Sequence, residues 1–242
     1  MNILIVNPNT TASMTAKMGR VAATIASPGV TVRAVNPPDG PVSIEGYVDE
    51  AFSVPGLLAT IRDEPAADAY VLACFDDTGL DAARCVAPGP VIGIGEAAFH
   101  VATLVAGRFS VVTTLQRSVP AIEHNLVRYG LASRCAAVRA AEVAVLELEL
   151  PGSAARNRIE AEIARALEHD RAEAIVLGCA GMTDLATSLS AHFGVPVLDG
   201  VACAVRLAES LVGLGLKTSR VGGYAAPLAK PYSGIFSRFA PG

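Results

Sequence analysis

Apolar positions in this chain fall into short runs separated by longer amphipathic stretches. The runs at 3–6, 30–35, 69–73 and 91–94 are apolar nearly throughout rather than alternating, the pattern of parallel strands covered on both faces. Between them, 11–26, 47–61 and 77–86 carry helical spacing. The order then repeats, with strands expected at 109–112, 136–138, 174–178 and 195–198 and helices at 118–129, 154–168, 183–192 and 201–214. The run at 136–138 is the weakest of these. A helix over 96–106 bridges the halves. Strands alternating with helices predict βαβ units on parallel sheets, hence an α/β fold of two similar doubly wound lobes. Ligands in such folds bind at the carboxyl ends of the strands, which places the cleft between the lobes. The expected division is an N-terminal α/β lobe over 1–98, a C-terminal α/β lobe over 99–222 and a tail over 223–242. The tail, with prolines among tyrosines and phenylalanines, reads as an extended strap lying on the first lobe, across both lobes or on a neighbouring subunit.

The two halves also repeat in sequence. Val71-Leu72-Ala73-Cys74 recurs as Val176-Leu177-Gly178-Cys179, and the two cysteines lie 105 positions apart. Asp68-Ala69 aligns with Glu173-Ala174 and Leu80 with Leu185, while Pro90-Val91-Ile92-Gly93 is echoed by Pro196-Val197-Leu198-Asp199 after a one-residue slip. A duplicated half that twice ends a buried strand in a thiol places two thiols to face one site from opposite sides. That arrangement suits removal of a proton from one face of a carbon and its return on the other. Each cysteine precedes a predicted helix by a few residues, where free N–H groups and the helix dipole favour a thiolate, lower its pKa and hold an enolate oxygen. A lone cysteine at a strand end is more often a small buried apolar residue; two at equivalent places argue for chemistry. Cys85, Cys135 and Cys203 have no such match and read as structural.

Composition narrows the partners. The 242 residues are 52% hydrophobic and 17% charged with mean hydropathy +0.44, a compact globular chain. A net charge of −4 gives no footprint for nucleic acid or a membrane surface. The absence of Trp and 5% aromatic content argue against a base-stacking platform. No apolar run approaches the roughly 18 residues of a membrane span. The N-terminus enters an apolar strand with no basic lead, so no signal peptide is expected. Five cysteines without CxxC spacing read as reduced cytoplasmic thiols. His100, His124, His169 and His192 lack paired ligand spacing, so no metal is expected. Gly93-Ile94-Gly95-Glu96-Ala97-Ala98 fits a loose dinucleotide fingerprint, but it comes late in its lobe and no acidic residue follows about 20 positions on. Glu96 would also face the pyrophosphate. No cofactor is predicted. Neither a phosphate loop nor a GxSxG elbow occurs.

Cys74-Phe75-Asp76-Asp77-Thr78-Gly79-Leu80 and Gly178-Cys179-Ala180-Gly181-Met182 resemble the two cysteine motifs of the aspartate/glutamate/hydantoin racemase superfamily, most closely its hydantoin and allantoin racemase branch. Val6-Asn7-Pro8-Asn9-Thr10, Ser43-Ile44-Glu45, Asp49-Glu50-Ala51 and Gly95-Glu96-Ala97-Ala98 are similar to the same branch. The resemblance implies flavodoxin-like lobes related by a pseudo-dyad and cofactor-independent racemisation, Cys74 and Cys179 exchanging the roles of acid and base with the enantiomer bound. It implies a substrate held by Asn7, Asn9 and Thr10 after the first strand of one lobe and by Thr113 and Thr114 in the other. Phe75 and Asp76 beside one thiol, and Ala180 and Gly181 beside the second, should line the pocket. The amino-acid racemases carry Asn-Thr and Thr-His after their thiols, which this chain lacks. No Lys or Arg lies within nine residues of Cys74, and the nearest to Cys179 in sequence is Arg171. Asp76 and Asp77 would repel a second carboxylate and accept N–H donors from a neutral ring such as a hydantoin or allantoin, unless they cap the following helix. Glu45 is either a further acceptor for the ligand or a solvated residue. A decarboxylase or cis–trans isomerase of the same superfamily and a ligand-binding module without turnover are the alternatives. The decarboxylase needs one thiol and pure binding needs none. The expected partner is a small molecule, in a homo-oligomer.

Overall fold

The computed structural model describes residues 1–150 and 152–241; of the lobe and tail expected above, Pro151 and Gly242 lie outside the described residues. The first half consists of β1 (Asn2–Val6), α1 (Ala12–Ile25), β2 (Thr31–Val35), α2 (Tyr47–Asp63), β3 (Ala69–Leu72), α3 (Leu80–Val86), β4 (Val91–Gly93) and α4 (Ile94–Val105). The second consists of β5 (Phe109–Thr113), α5 (Val119–Arg128), β6 (Cys135–Ala140), α6 (Ala155–His169), β7 (Ala174–Gly178), α7 (Ala186–Phe193), β8 (Val197–Asp199) and α8 (Gly200–Gly213). Each half builds a four-stranded parallel sheet, ordered β2-β1-β3-β4 and β6-β5-β7-β8. The α/β class and the duplicated doubly wound lobes are therefore as the sequence pattern predicts.

Burial explains the pattern. The central strands β3, β5 and β7 are buried at every position and β1 at all but its first residue, so their sequences are mostly apolar, with Ser110 and Thr113 the buried polar positions of β5. Edge strands β2 and β6 are only partly covered, which is why 136–138 gave a faint signal. Register places equivalent residues side by side: Val6 pairs with Leu72 in one sheet and Val112 with Leu177 in the other. The segments leaving these strands, which carry Asn7, Cys74, Thr114 and Cys179, thus emerge at the carboxyl edges.

α4 packs on β7 and α8 on β3, so each helix crosses to the opposite sheet. Ile3, Val71, Ala97, Phe109, Val176, Val201 and Val205 consequently belong to one apolar cluster that spans both halves. Each fully buried Ile, Val or Phe contributes roughly 1.5–3 kcal/mol. Gly200 permits the close approach of α8 to α4, since a Cβ there would lie 2.6 Å from the Ile94 carbonyl oxygen. The chain after α8 returns over the first lobe: Arg220 donates to the carbonyls of Arg84 (2.9 Å) and Cys85 (3.2 Å), and Arg62 donates to Phe239 O (3.0 Å) in the tail. Among the described residues no helix is long and apolar enough to cross a membrane.

Candidate active site

The two thiols sit on equivalent turns. The Cys74 carbonyl accepts from Asp77 N (3.0 Å) and the Asp77 carbonyl from Leu80 N (3.1 Å). In the second lobe the Cys179 carbonyl accepts from Met182 N (3.0 Å) and the Met182 carbonyl from Leu185 N (2.9 Å). These turns delay α3 and α7 to Leu80 and Ala186, later than the spacing predicts. Both cysteines are free and partly accessible, and both line one cavity of about 40 Å³.

The expected lowering of the thiol pKa does not occur. Burial pushes Cys74 well above its ordinary value; the Asp76 carboxyl adds to the rise, while the Asp76 N–H and the Thr78 hydroxyl, 3.7 Å from the sulfur, oppose it. Burial likewise pushes Cys179 up to about 12, against the Gly181 N–H and the Lys17 ammonium, with Asp76 and Glu45 adding. In each turn the amide two residues on faces the sulfur. Because the helices begin beyond the turns, desolvation outweighs what their N–H groups supply.

Asp76 and Asp77 have separate roles. Neither caps α3, whose N-cap is Gly79 with no side-chain bond. Asp77 instead caps α4 from a distance, accepting from Gly95 N (3.0 Å), Glu96 N (2.7 Å) and the Tyr129 hydroxyl (2.8 Å). A Cβ at Gly93 would fall on the Asp77 carboxylate and one at Gly95 on the Phe75 carbonyl oxygen. The glycines of the apparent dinucleotide fingerprint therefore admit the first thiol's turn to the start of α4. Asn125 of α5 donates to Asp76 O (2.7 Å), so the second lobe also holds this turn. The Asp76 carboxyl lines the cavity, and no donor among the described residues reaches it. Burial pushes it up to about 7, with Glu50 and then Asp77 adding.

Of the other residues expected from sequence, Asn7, Asn9, Phe75, Thr114 and Ala180 line the same cavity. Asn7 Nδ2 donates to Asn9 Oδ1 (2.8 Å) and Thr15 Oγ1 (3.0 Å), fixing the Asn9 side chain. Asn9 Nδ2 is left with only the Met14 sulfur at 3.6 Å. Phe75 stands edge-on to Phe99, centroids 5.4 Å apart. Thr10, Thr113, Gly181 and Glu45 stand behind this wall. Thr10 N donates to Pro41 O (3.0 Å), Thr113 Oγ1 to Gly178 O (2.9 Å), and Gly181 supports Cys179. The half-buried Glu45 carboxylate lies outside the wall and accepts from Val145 N (2.9 Å), joining the loop before α2 to the segment 141–150, whose Val145 lines the cavity. Sequence reasoning missed Ser118, Val145 and Met14 in the wall, Glu50 beside Asp76, and Lys17 beside the second thiol's turn. The pairing of Cys74 with Cys179 was visible because it repeats; these others come from segments whose sequences do not repeat between the halves.

A family model described as Asp/Glu/Hydantoin racemase matches residues 3–208. The chain belongs to that family. Within this racemase family, a hydantoin racemase of Rhizobium meliloti is 52% identical over 236 residues, covering 97% of this chain and 98% of that one. A hydantoin racemase of Pseudomonas sp. (strain NS671) is 43% identical, covering 99% and 97%. The solved structure of allantoin racemase from Klebsiella pneumoniae matches with TM-score 0.96 at 46% identity, covering 100% of this chain and 99% of that one. Arylmalonate decarboxylase, at TM-score 0.61 and 16% identity, covers 93% and 97% and shares the fold alone. The protein is accordingly an isomerase of the racemase class with a two-lobed fold.

Proposed function

We propose that this racemase interconverts the enantiomers of a 5-substituted hydantoin or of allantoin without a cofactor, using Cys74 and Cys179 as the acid–base pair. The observation that carries the reading is the convergence of two thiols from equivalent turns on one cavity. One sulfur, as thiolate, removes the proton from the stereogenic carbon; the opposite thiol delivers its proton to the other face. The roles then stand reversed for the enantiomer formed. Acidity at that carbon comes from the adjacent ring carbonyl, whose developing charge needs a hydrogen-bond donor. Asn9 Nδ2 and the hydroxyls of Thr114 and Ser118 line the cavity and are suited to that task. Asp76, with no donor of its own, is suited to accept a ring N–H.

Electrostatics support a neutral ring over an amino acid. No Lys, Arg or His is among the described residues of the cavity wall, whereas Asp76 lies in it with Glu50 nearby. A second carboxylate on the substrate would meet uncompensated negative charge. The names of the relatives at 52% and 46% identity point the same way. Five free cysteines accord with a reducing cytoplasm. The exposed Leu228, Ile235 and Phe236 of the tail suit assembly into a homo-oligomer.

The test is substitution of each thiol. Cys74→Ser and Cys179→Ser are each expected to abolish racemisation of a chiral hydantoin and of allantoin, followed by polarimetry, while retaining the wild-type circular dichroism spectrum. Turnover by wild type in deuterated water should place deuterium at the stereogenic carbon. Full activity in either single variant sinks the two-thiol mechanism.

A further inference from the structure

Lys17 belongs to the first lobe yet serves the second thiol. From α1 its largely enclosed side chain crosses between the lobes, and Nζ stands 2.7 Å from Glu149 Oε1 as an ion pair. It also donates to Gly181 O (3.3 Å) and, more weakly, to Leu148 O (3.5 Å). Gly181 presents its N–H to the Cys179 sulfur, and Leu148 presses on Gly181, where a Cβ would come 2.8 Å from Leu148 Cδ1. One ammonium thus ties together α1, the turn carrying the second thiol and the segment covering the cavity. Among the described residues nothing equivalent serves Cys74, whose charged neighbours are Asp76 and Asp77.

We propose that Lys17 is a positioning residue for Cys179: it anchors the second thiol's turn and the 141–150 cover to the opposite lobe, and its charge favours the Cys179 thiolate over that of Cys74. This rests on the two-thiol reading above and adds an inequality between the thiols. The charged groups around Cys179 are Lys17 from α1, Asp76 from the first thiol's turn, Glu45 from the loop before α2, Glu149 from the cover and Asp184 from the turn before α7. Lys17 is the cation among them. Two enantiomers have equal free energy in solution, so kcat/KM must be the same in both directions whatever Lys17 does. The inequality is carried by kcat and KM taken separately.

Iodoacetamide labelling, read at each cysteine by peptide mass spectrometry across pH, tests this without turnover. Below the thiol's pKa the rate follows the thiolate fraction. In Lys17→Met, labelling of Cys179 is expected to fall roughly tenfold at every pH while Cys74 is unchanged, and Lys17→Arg should restore most of the rate. If Lys17→Met does not fold, Lys17→Gln keeps donors for the two carbonyls without the charge and takes its place in the comparison. Racemisation by the uncharged variant should then show kcat and KM altered unequally in the two directions at a constant ratio. Unchanged labelling of Cys179, or an equal change at both thiols, overturns the proposal. If no hydantoin or allantoin is turned over by wild type and Cys179 labelling still falls alone, the substrate assignment fails and Lys17 keeps its place.

Discussion

Asp76→Asn preserves the shape of a side chain in the cavity wall and removes its ionisation. In the folded protein burial pushes this carboxyl from its ordinary 3.8 up to about 7. A group with a raised folded pKa contributes stability that is fully present below its unfolded value and is lost as pH climbs through the folded one. The window is therefore pH 3.8 to about 7. About three units at 1.36 kcal/mol each give an upper figure of about 4 kcal/mol; cavity water and the linked ionisation of Asp77 bring it to about 2–3 kcal/mol. The variant is expected to match wild type near pH 4 and to exceed it by about 2–3 kcal/mol at pH 8, measured by urea unfolding across that range. A difference that does not vary with pH refutes the reasoning, as does a variant less stable at pH 8. The same substitution removes a charge that raises both thiols, so Cys74 and Cys179 should both be alkylated faster above pH 7. Exchange of the carboxylate for a neutral amide oxygen weakens the bond to a ring N–H and should at the same time raise KM.

Two further substitutions probe the frame around the thiols. Gly95→Ala puts a methyl group against the Phe75 carbonyl and the Asp77 carboxylate, and overpacking should cost about 2–3 kcal/mol in thermal unfolding. Its kcat should fall as the Cys74 turn is displaced; wild-type stability would show that the close approach is dispensable. Glu45→Ala frees the Val145 N–H and should raise KM several-fold with little loss of folding stability. An unchanged KM and unchanged labelling of both thiols would show that this contact does not hold the cover.

What could be read from the chain followed from burial. Central strands covered on both faces write themselves as mostly apolar runs, and the repeat of Val-Leu-Ala-Cys as Val-Leu-Gly-Cys made the paired thiols visible. Strand β6 was faint because an edge strand needs no such run. The sign of the thiol pKa was missed because local sequence shows the nearby helix start but not the enclosure that outweighs it. Lys17 and Tyr129 were missed for a different reason. Their partners, Gly181 and Asp77, are brought to them by the folding of one lobe against the other. Asp77 reads from sequence as a substrate acceptor or as a cap for the next helix, whereas its left-handed backbone, φ 50°, and the glycines at 93 and 95 turn it toward α4.

The exchange of α4 and α8 between the sheets decides how a molecule can get in. A space of about 40 Å³ is well short of the roughly 150 Å³ that admits a benzene ring. Clamshell opening would tear a continuous oily interior that runs from Ile3 and Val71 to Val176 and Val205. Entry therefore falls to the rim, where the Glu45–Val145 hydrogen bond, rather than an apolar interior, joins the strand-to-helix segments of the two halves.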